Sequence, residues 1–209
     1  TVLNGINKQG ILRPDGDGYY DQPLGGLNVF NSAGDYYDYE GAKNLFENSS
    51  AFMRRVSTAC LKSEGGHPVR LPGQSDDEFI HRVMRIDEAR VCAHIAKIWL
   101  DFDNVRDRDG NKVIAIMGKV KPNEGGYGLS LKGSYANPHE DVCFSIRAFT
   151  TDKHIGGVKR RTLADIITFD HVVEPGIGFA RKYNSPSLES YSGKSVAMES
   201  DNADSVNIT

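Results

Sequence analysis

Apolar and polar positions alternate most cleanly over residues 141–150, Asp-Val-Cys-Phe-Ser-Ile-Arg-Ala-Phe-Thr. In an extended chain Val142, Phe144, Ile146 and Ala148 share one face, and Cys143, Ser145, Arg147 and Phe149 the other. A period of two predicts a strand with one packed face. Ser145 stands at its centre, two positions from Arg147 on the same side. The same alternation predicts strands over 90–101 and 112–119, joined through the turn signal Asp109-Gly110-Asn111 as a hairpin or meander. A β-branched run over 165–173 predicts a further strand, ending before Glu174-Pro175-Gly176. Helical spacing of Leu45, Phe46, Phe52, Met53, Val56 and Leu61 predicts helices over 39–48 and 50–61, with Ser49 or Ser50 as N-cap of the second. Ser75-Asp76-Asp77-Glu78 opens a short helix that runs through Arg85. Turn-rich residues 1–31 leave room for two short strands, near 1–6 and 26–30. Residues 122–138 read as a glycine-rich loop with a short helix, and 151–157 as a turn.

Composition narrows the class. A chain of 209 residues is long enough for one domain with a sizeable core. From residue 182 Ser, Asn, Asp and Gly dominate, so the expectation is a folded domain over 1–181 and a flexible tail over 182–209. A net charge of −3 offers no basic surface for nucleic acid, and no apolar run approaches the roughly 18 residues of a membrane helix. Thr1-Val-Leu-Asn-Gly lacks the charged and apolar regions of a secretory signal. Cys60, Cys92 and Cys143 are odd in number and lack C-x-x-C spacing, which reads as reduced thiols in a cytosolic compartment.

Few residues carry candidate chemistry. His67 sits in Ser-Glu-Gly-Gly-His-Pro-Val, after two glycines that permit close backbone approach and before a proline that holds it extended. Such a loop fixes the direction of an imidazole, as a general base requires, although most loop histidines are simply on the surface. A mid-strand Ser145 and a later Asp170 or His171 complete a His…Ser…acid order, recognisable as a triad only by geometry. A metal-binding module built on His67, His94 and nearby acids stays open, with His94 read first as a structural histidine. Asp15-Gly16-Asp17-Gly18 lacks the later ligands of a calcium loop, and Gly125-Gly126-Tyr127-Gly128 lacks the Gly-Lys-Ser/Thr ending of a phosphate loop.

Three segments share a resemblance. Glu64-Gly65-Gly66-His67-Pro68 resembles the histidine motif of the prohead core proteases of large tailed bacteriophages, jumbo phages included. Phe144-Ser145-Ile146-Arg147-Ala148 is similar to their nucleophile strand, and Phe169-Asp170-His171-Val172-Val173-Glu174-Pro175 to their Asp-x-Val-x-x-Pro segment. Order and spacing agree over residues 31–175. Gly66 departs where the motif often has a polar residue, and Ile146 replaces a second serine.

That family shares its fold with herpesvirus assemblin. The resemblance therefore implies an α+β fold: a mostly antiparallel closed β-barrel of about seven strands surrounded by helices. It implies a serine endopeptidase that processes scaffold and capsid proteins, and often itself, inside the immature head in the host cytoplasm. The alternative within the same fold is an inactive capsid scaffolding protein. Carried onto this chain, Ser145 is the nucleophile, His67 the base and Asp170 the orienting acid, with His171 the herpesvirus-like alternative. Arg147 would support the oxyanion directly or through water, with backbone N–H groups near Gly176 to Gly178 as a second source. No metal or cofactor is implied, and no nucleic-acid or membrane partner. A preference for Glu before the scissile bond would need a cationic pocket, for which Lys159, Arg160, Arg161 and Arg181 are the candidates. Small-x-Glu triplets end at Glu189 and Glu199, the expected self-cleavage sites, Glu199 first. A tail lodged in a neighbour's active site would make a homo-oligomer.

Overall fold

The computed structural model describes residues 10–190. In chain order the elements are β1 (Gly10–Leu12), β2 (Tyr20–Leu27), β3 (Val29–Phe30), β4 (Tyr36–Tyr37), α1 (Tyr39–Ala42), α2 (Ala51–Ser57), β5 (Lys62–Glu64), α3 (Asp76–Met84), β6 (Val91–Asp101), β7 (Ile114–Pro122), α4 (Tyr127–Ala136), β8 (Cys143–Ile155), β9 (Val158–Val172) and β10 (Leu188–Ser190). One four-stranded sheet runs β2-β7-β6-β5, a second runs β3-β4-β9-β8, and β1 pairs with β10 in a ribbon. All pairings are antiparallel except β4 with β9. The two sheets curl towards each other, β5 alongside β9 and β2 alongside β8.

The mixed α+β class and the antiparallel sheets match expectation; a closed barrel of about seven strands is not shown among the described residues. Backbone pairing among the described residues passes from β5 to β9 through one isolated bridge, Gly65 with His171. The reason is local. Strand β5 is three residues long, carries a bulge between Ser63 and Glu64, and gives way to Gly65-Gly66, where the chain turns out of the sheet.

The main core fills the space between the sheets and helices, around Leu24, Leu27, Phe52, Ile95, Ile116, Val120, Tyr135, Phe144 and Phe169. Their burial is the dominant stabilising term. A smaller cluster of Val105, Val113, Met117, Ile177 and Phe179 packs on the other side of β7. Ser50 caps α2 by accepting from the Met53 N–H, and Ser75 and Glu78 form a full capping box on α3.

Three of the boundaries that differ from the sequence reading do so for a plain physical reason. The helix expected over 39–48 tightens after Ala42 into a 3-10 turn, Lys43–Phe46. The turn expected over 151–157 is mostly strand. The β8–β9 hairpin extends to Ile155, and its reversal needs only Gly156 and Gly157, at φ +59° and +77°. That arm is solvated, so it lacks an apolar stripe. The chain after residue 181 packs onto the body through Ser190. Lys182 is fully buried, its Nζ donating to the Ser134 and Asn137 carbonyls at 3.0 and 2.8 Å at the end of α4. Ser185 Oγ donates to the Asp21 carbonyl at 2.6 Å, and β10 closes onto β1. The strand expected near 1–6, and residues 191–209, lie outside the described residues.

Two glycines test this packing in opposite directions. A Cβ at Gly118, in the middle of β7, would fall 2.4 Å from Leu24 Cδ1 and 3.3 Å from Ile98 Cδ1. Gly118→Ala is expected to lower the free energy of unfolding by about 1–3 kcal/mol through overpacking. At Gly133, inside α4, a Cβ meets nothing within 4 Å. Gly133→Ala is expected to raise it by about 0.5–1 kcal/mol. Urea denaturation of both variants checks the pair; a neutral Gly118→Ala contradicts the packing.

Candidate active site

The His67 loop begins where β5 stops. Gly65 N–H donates to the Arg90 carbonyl at 2.9 Å, and the Arg90 guanidinium donates back to the Gly65 carbonyl. Tyr127 lies so close that a Cβ at Gly65 would come within 2.5 Å of its ring. Gly66 takes φ +82°, a left-handed conformation that side chains disfavour, and its N–H donates to the His171 carbonyl at 2.7 Å. The backbone is thus pinned on both sides immediately before His67, and Pro68 restricts it immediately after.

The partner of His67 comes from β9. Asp170 is wholly buried and pairs directly with Ser145 of β8, so the two side chains share one face. His67 Nδ1 lies 2.7 Å from Asp170 Oδ2. A carboxylate only accepts, so Nδ1 donates and Nε2 is left as the basic nitrogen. Ser145 is half-buried and does not hydrogen-bond His67 among the described residues. Such bonds are long in many free hydrolases and tighten around substrate.

Asp170 is held from behind. Arg147 Nε donates to Oδ2 at 2.8 Å and Nη2 to Oδ1 at 2.7 Å, a two-pronged pair, while the Glu64 backbone N–H reaches Oδ1 at 3.3 Å. The Glu64 carboxylate, also wholly buried, lies 3.1 Å from Arg147 Nη1 and 3.0 Å from Nη2. Nη1 also donates to the Val83 and Arg85 carbonyls, both at 3.3 Å. On its other side Glu64 accepts from Arg82 of α3 at 2.6 and 3.1 Å and from the Asp87 N–H at 2.9 Å. Burial pushes the Glu64 carboxyl up, but the Arg82 and Asp87 hydrogen bonds and the Arg147 charge outweigh it and hold it below its ordinary value.

The Peptidase S80 family model matches residues 1–208. The chain belongs to the Peptidase S80 family. It is 38% identical over 204 residues to the capsid maturation protease of Pseudomonas phage phiKZ, covering 96% of this chain and 74% of that protein. The likeness to phage maturation proteases that the motifs carried is therefore shown over nearly the whole chain. No solved structure matches.

Other sequence-derived candidates of this S80 peptidase are dispersed. His171 turns to the opposite face from Asp170, its ring 5.9 Å from that of Phe144, and burial pushes its pKa down. Every nitrogen of Arg147 already faces an acceptor, so its reach towards Ser145 runs through Asp170 rather than through an N–H aimed at the serine. Lys159, Arg160 and Arg161 stand at the far end of the hairpin, roughly 30 Å along β9 from Asp170. There Lys159 pairs with Asp152 at 2.9 Å, Arg161 with Asp35 at 2.7 Å, and Arg160 covers Tyr36. Arg181 is nearer, bridged to Cys143 and 3.4 Å from Asp141. The backbone at Gly176 passes beside the serine, where an added Cβ would sit 3.5 Å from Ser145 Oγ. A cleft of about 860 Å³ extends from Gly176 past Ile177 and Phe179 to Phe30 and Lys112. His94 contacts Tyr19 through a 3.0 Å Nδ1–hydroxyl hydrogen bond. Glu189 lies in β10 and pairs with Arg13 at 2.6 Å; Glu199 lies outside the described residues.

Glu64 and Arg82 are what the sequence reading missed. Glu64 stood inside the quoted histidine motif, and a glutamate ending a short buried strand is a usable signal. Arg82 looks like any helix-surface cation.

The Glu64 network predicts a pH dependence of stability. A carboxyl held below its unfolded value stabilises the fold above that unfolded value and loses the contribution as pH falls from there through its lowered folded value. Glu64→Gln is expected to cost about 3–5 kcal/mol at pH 7, by leaving Arg147 with one carboxylate in place of two and Arg82 without its ion-pair partner. The gap to wild type should narrow as pH falls below the usual carboxylate range of about 4. Urea denaturation across this range checks it; a constant gap would remove Glu64 ionisation from the fold's acid sensitivity.

Proposed function

We propose that this S80 peptidase is a serine endopeptidase of phage head maturation, with Ser145, His67 and Asp170 as its triad. The observation that carries the reading is the 2.7 Å hydrogen bond from His67 to a buried Asp170 whose cross-strand partner is Ser145. Ser145 Oγ attacks the scissile carbonyl carbon while His67 Nε2 takes its proton. The tetrahedral intermediate collapses as His67 returns that proton to the leaving amine. Water then repeats the sequence on the acyl-enzyme. Asp170 keeps the proton on Nδ1 and stabilises the imidazolium. The oxyanion is received by backbone N–H groups of the Gly176 to Gly178 segment. Support comes from the closeness of Gly176 to Ser145 Oγ and from the commitment of Arg147 to its carboxylates.

Its substrates on this reading are proteins of the maturing capsid, from the name of the phiKZ relative; scaffold proteins and the immature head come from the motif resemblance. An extended segment fits the cleft beside Gly176. For a Glu before the scissile bond, Arg181 is the cation of the original set that lies nearest the serine, through its bridge to Cys143. Lys159, Arg160 and Arg161 are less favoured, because they stand at the far end of the hairpin. Self-cleavage after Glu199 is favoured over Glu189, which is paired within β10.

A serine-reactive fluorophosphonate tests the mechanism. Wild type should be labelled on Ser145; Ser145→Ala and His67→Ala should not. Asp170→Asn should lose peptide cleavage by roughly 10⁴-fold through the wrong imidazole tautomer, while His171→Ala keeps most of it. Activity that survives Asp170→Asn and disappears in His171→Ala would give the third role to His171.

Intact mass tests self-processing. Concentrated wild type should lose Ser200 to Thr209 on ageing, and Ser145→Ala should keep them. Equal loss from both proteins, or from neither, rejects cleavage at Glu199.

A further inference from the structure

Behind the dyad lies a row of alternating charges that runs away from the imidazole. His67 meets Asp170 at 2.7 Å, Asp170 meets Arg147 at 2.7 and 2.8 Å, Arg147 meets Glu64 at 3.0 and 3.1 Å, and Glu64 meets Arg82 at 2.6 Å. Asp170 and Glu64 are wholly buried and the Arg147 side chain is 4% exposed, while Arg82 keeps 24% of its side chain in contact with solvent. Four elements contribute: β9, β8, β5 and α3.

We propose that Glu64 and Arg82 are positioning residues that set the charge His67 experiences, acting through Arg147 and Asp170. The proposal rests on the triad reading above and adds residues that never touch substrate. The physical argument is a balance. Arg147 alone, doubly bonded to Asp170, would cancel much of the negative charge that stabilises the imidazolium. Glu64 draws on the same guanidinium and offsets it. Arg82 limits how far that offset goes. In a buried site these terms are weakly screened. Beside the histidine loop, the Arg90 guanidinium bonds the Gly65 carbonyl and the His171 carbonyl receives the Gly66 N–H, while the His171 ring lies by Phe144 on the opposite face. Neither variant below removes one of these.

Opposite charges in one ion pair make opposite predictions, which loosening of the structure does not. Glu64→Gln removes a negative charge, disfavours the imidazolium and moves the acidic limb of reactivity to lower pH. Arg82→Gln removes a positive charge and moves that limb to higher pH. Each shift is expected to be about half a pH unit or more. Arg82→Lys keeps the charge and should restore the wild-type position.

The readout is the rate of Ser145 labelling by a fluorophosphonate across pH 5–9, in full-length protein, with folding checked by near-UV circular dichroism. Labelling needs no natural substrate and follows the neutral fraction of His67. Shifts of opposite sign, with recovery in Arg82→Lys, support the proposal. If Glu64→Gln does not fold, the Arg82→Gln and Arg82→Lys pair decides it, since Arg82 is partly solvated. Normal wild-type labelling with no limb movement in the folded variants, or movement of both in one direction, overturns the proposal and leaves the triad standing. Absence of wild-type labelling on Ser145 overturns the triad and this proposal with it.

Discussion

The structure around the site depends on one buried guanidinium. Arg147 is taken out of water in the middle of β8, where an unpaired cation would cost several kcal/mol. It is tolerated because Asp170 and Glu64 occupy two sides of its plane and the Val83 and Arg85 carbonyls take remaining donors. A lysine has neither the fork that meets both oxygens of Asp170 nor enough donors in one plane to reach Glu64 as well. The same bonds tie α3 and the turn after it to the sheets. This helix has no fully buried residue of its own, so Arg82 and the carbonyls that receive Arg147 do much to fix where it lies.

Strand β9 supplies the site from two consecutive residues facing opposite ways. Asp170 directs its carboxylate at His67, while the carbonyl of His171 receives the Gly66 N–H. The ring and the backbone of the histidine loop are therefore referred to the same short piece of strand. This makes the orientation of His67 insensitive to movement of the rest of its loop, including exposed Val69 and Leu71. It also accounts for the incomplete sheet. Pairing of this segment with β9 stops after the Gly65–His171 bridge and the Gly66 N–H bond, because the chain turns at Gly66.

What was legible in the sequence follows from which signals are local. The strands around Ser145 and Ile95 were visible because apolar and polar side chains alternate between their faces, and the strand around Asp170 because it is a β-branched run. The Ser50 and Ser75 caps were visible because capping is a matter of a few adjacent residues. His67 was visible from its glycines and proline. The hairpin arm over 150–155 was not, because both its faces meet solvent and no apolar period survives. Nor was the packing of residues 182–190. Lys182 reads as a tail lysine, and only the three-dimensional end of α4 supplies the Ser134 and Asn137 carbonyls that bury it. Arg147 was read as a residue on the serine's open face. The alternation correctly placed it beside Ser145, but alternation does not say that the second face is covered by β5 and α3.

That last error has a general physical content. A strand buried on one face by aliphatic side chains and on the other by an ion network alternates in polarity just as a half-solvated strand does. The distinguishing feature is stoichiometric: Arg147 has more N–H donors than Asp170 can accept, Glu64 takes part of the remainder, and that second buried carboxylate needs a second cation if charge is to balance. Glu64 and Arg82 supply this carboxylate and cation from segments far from β8 in sequence. Charge balance in a buried site is thus a constraint that reaches across elements, and it sets the identity of residues well removed from the reacting atoms. Glu64 follows from the side chains around it: it takes Arg147 donors that Asp170 does not, and Arg82 balances its charge.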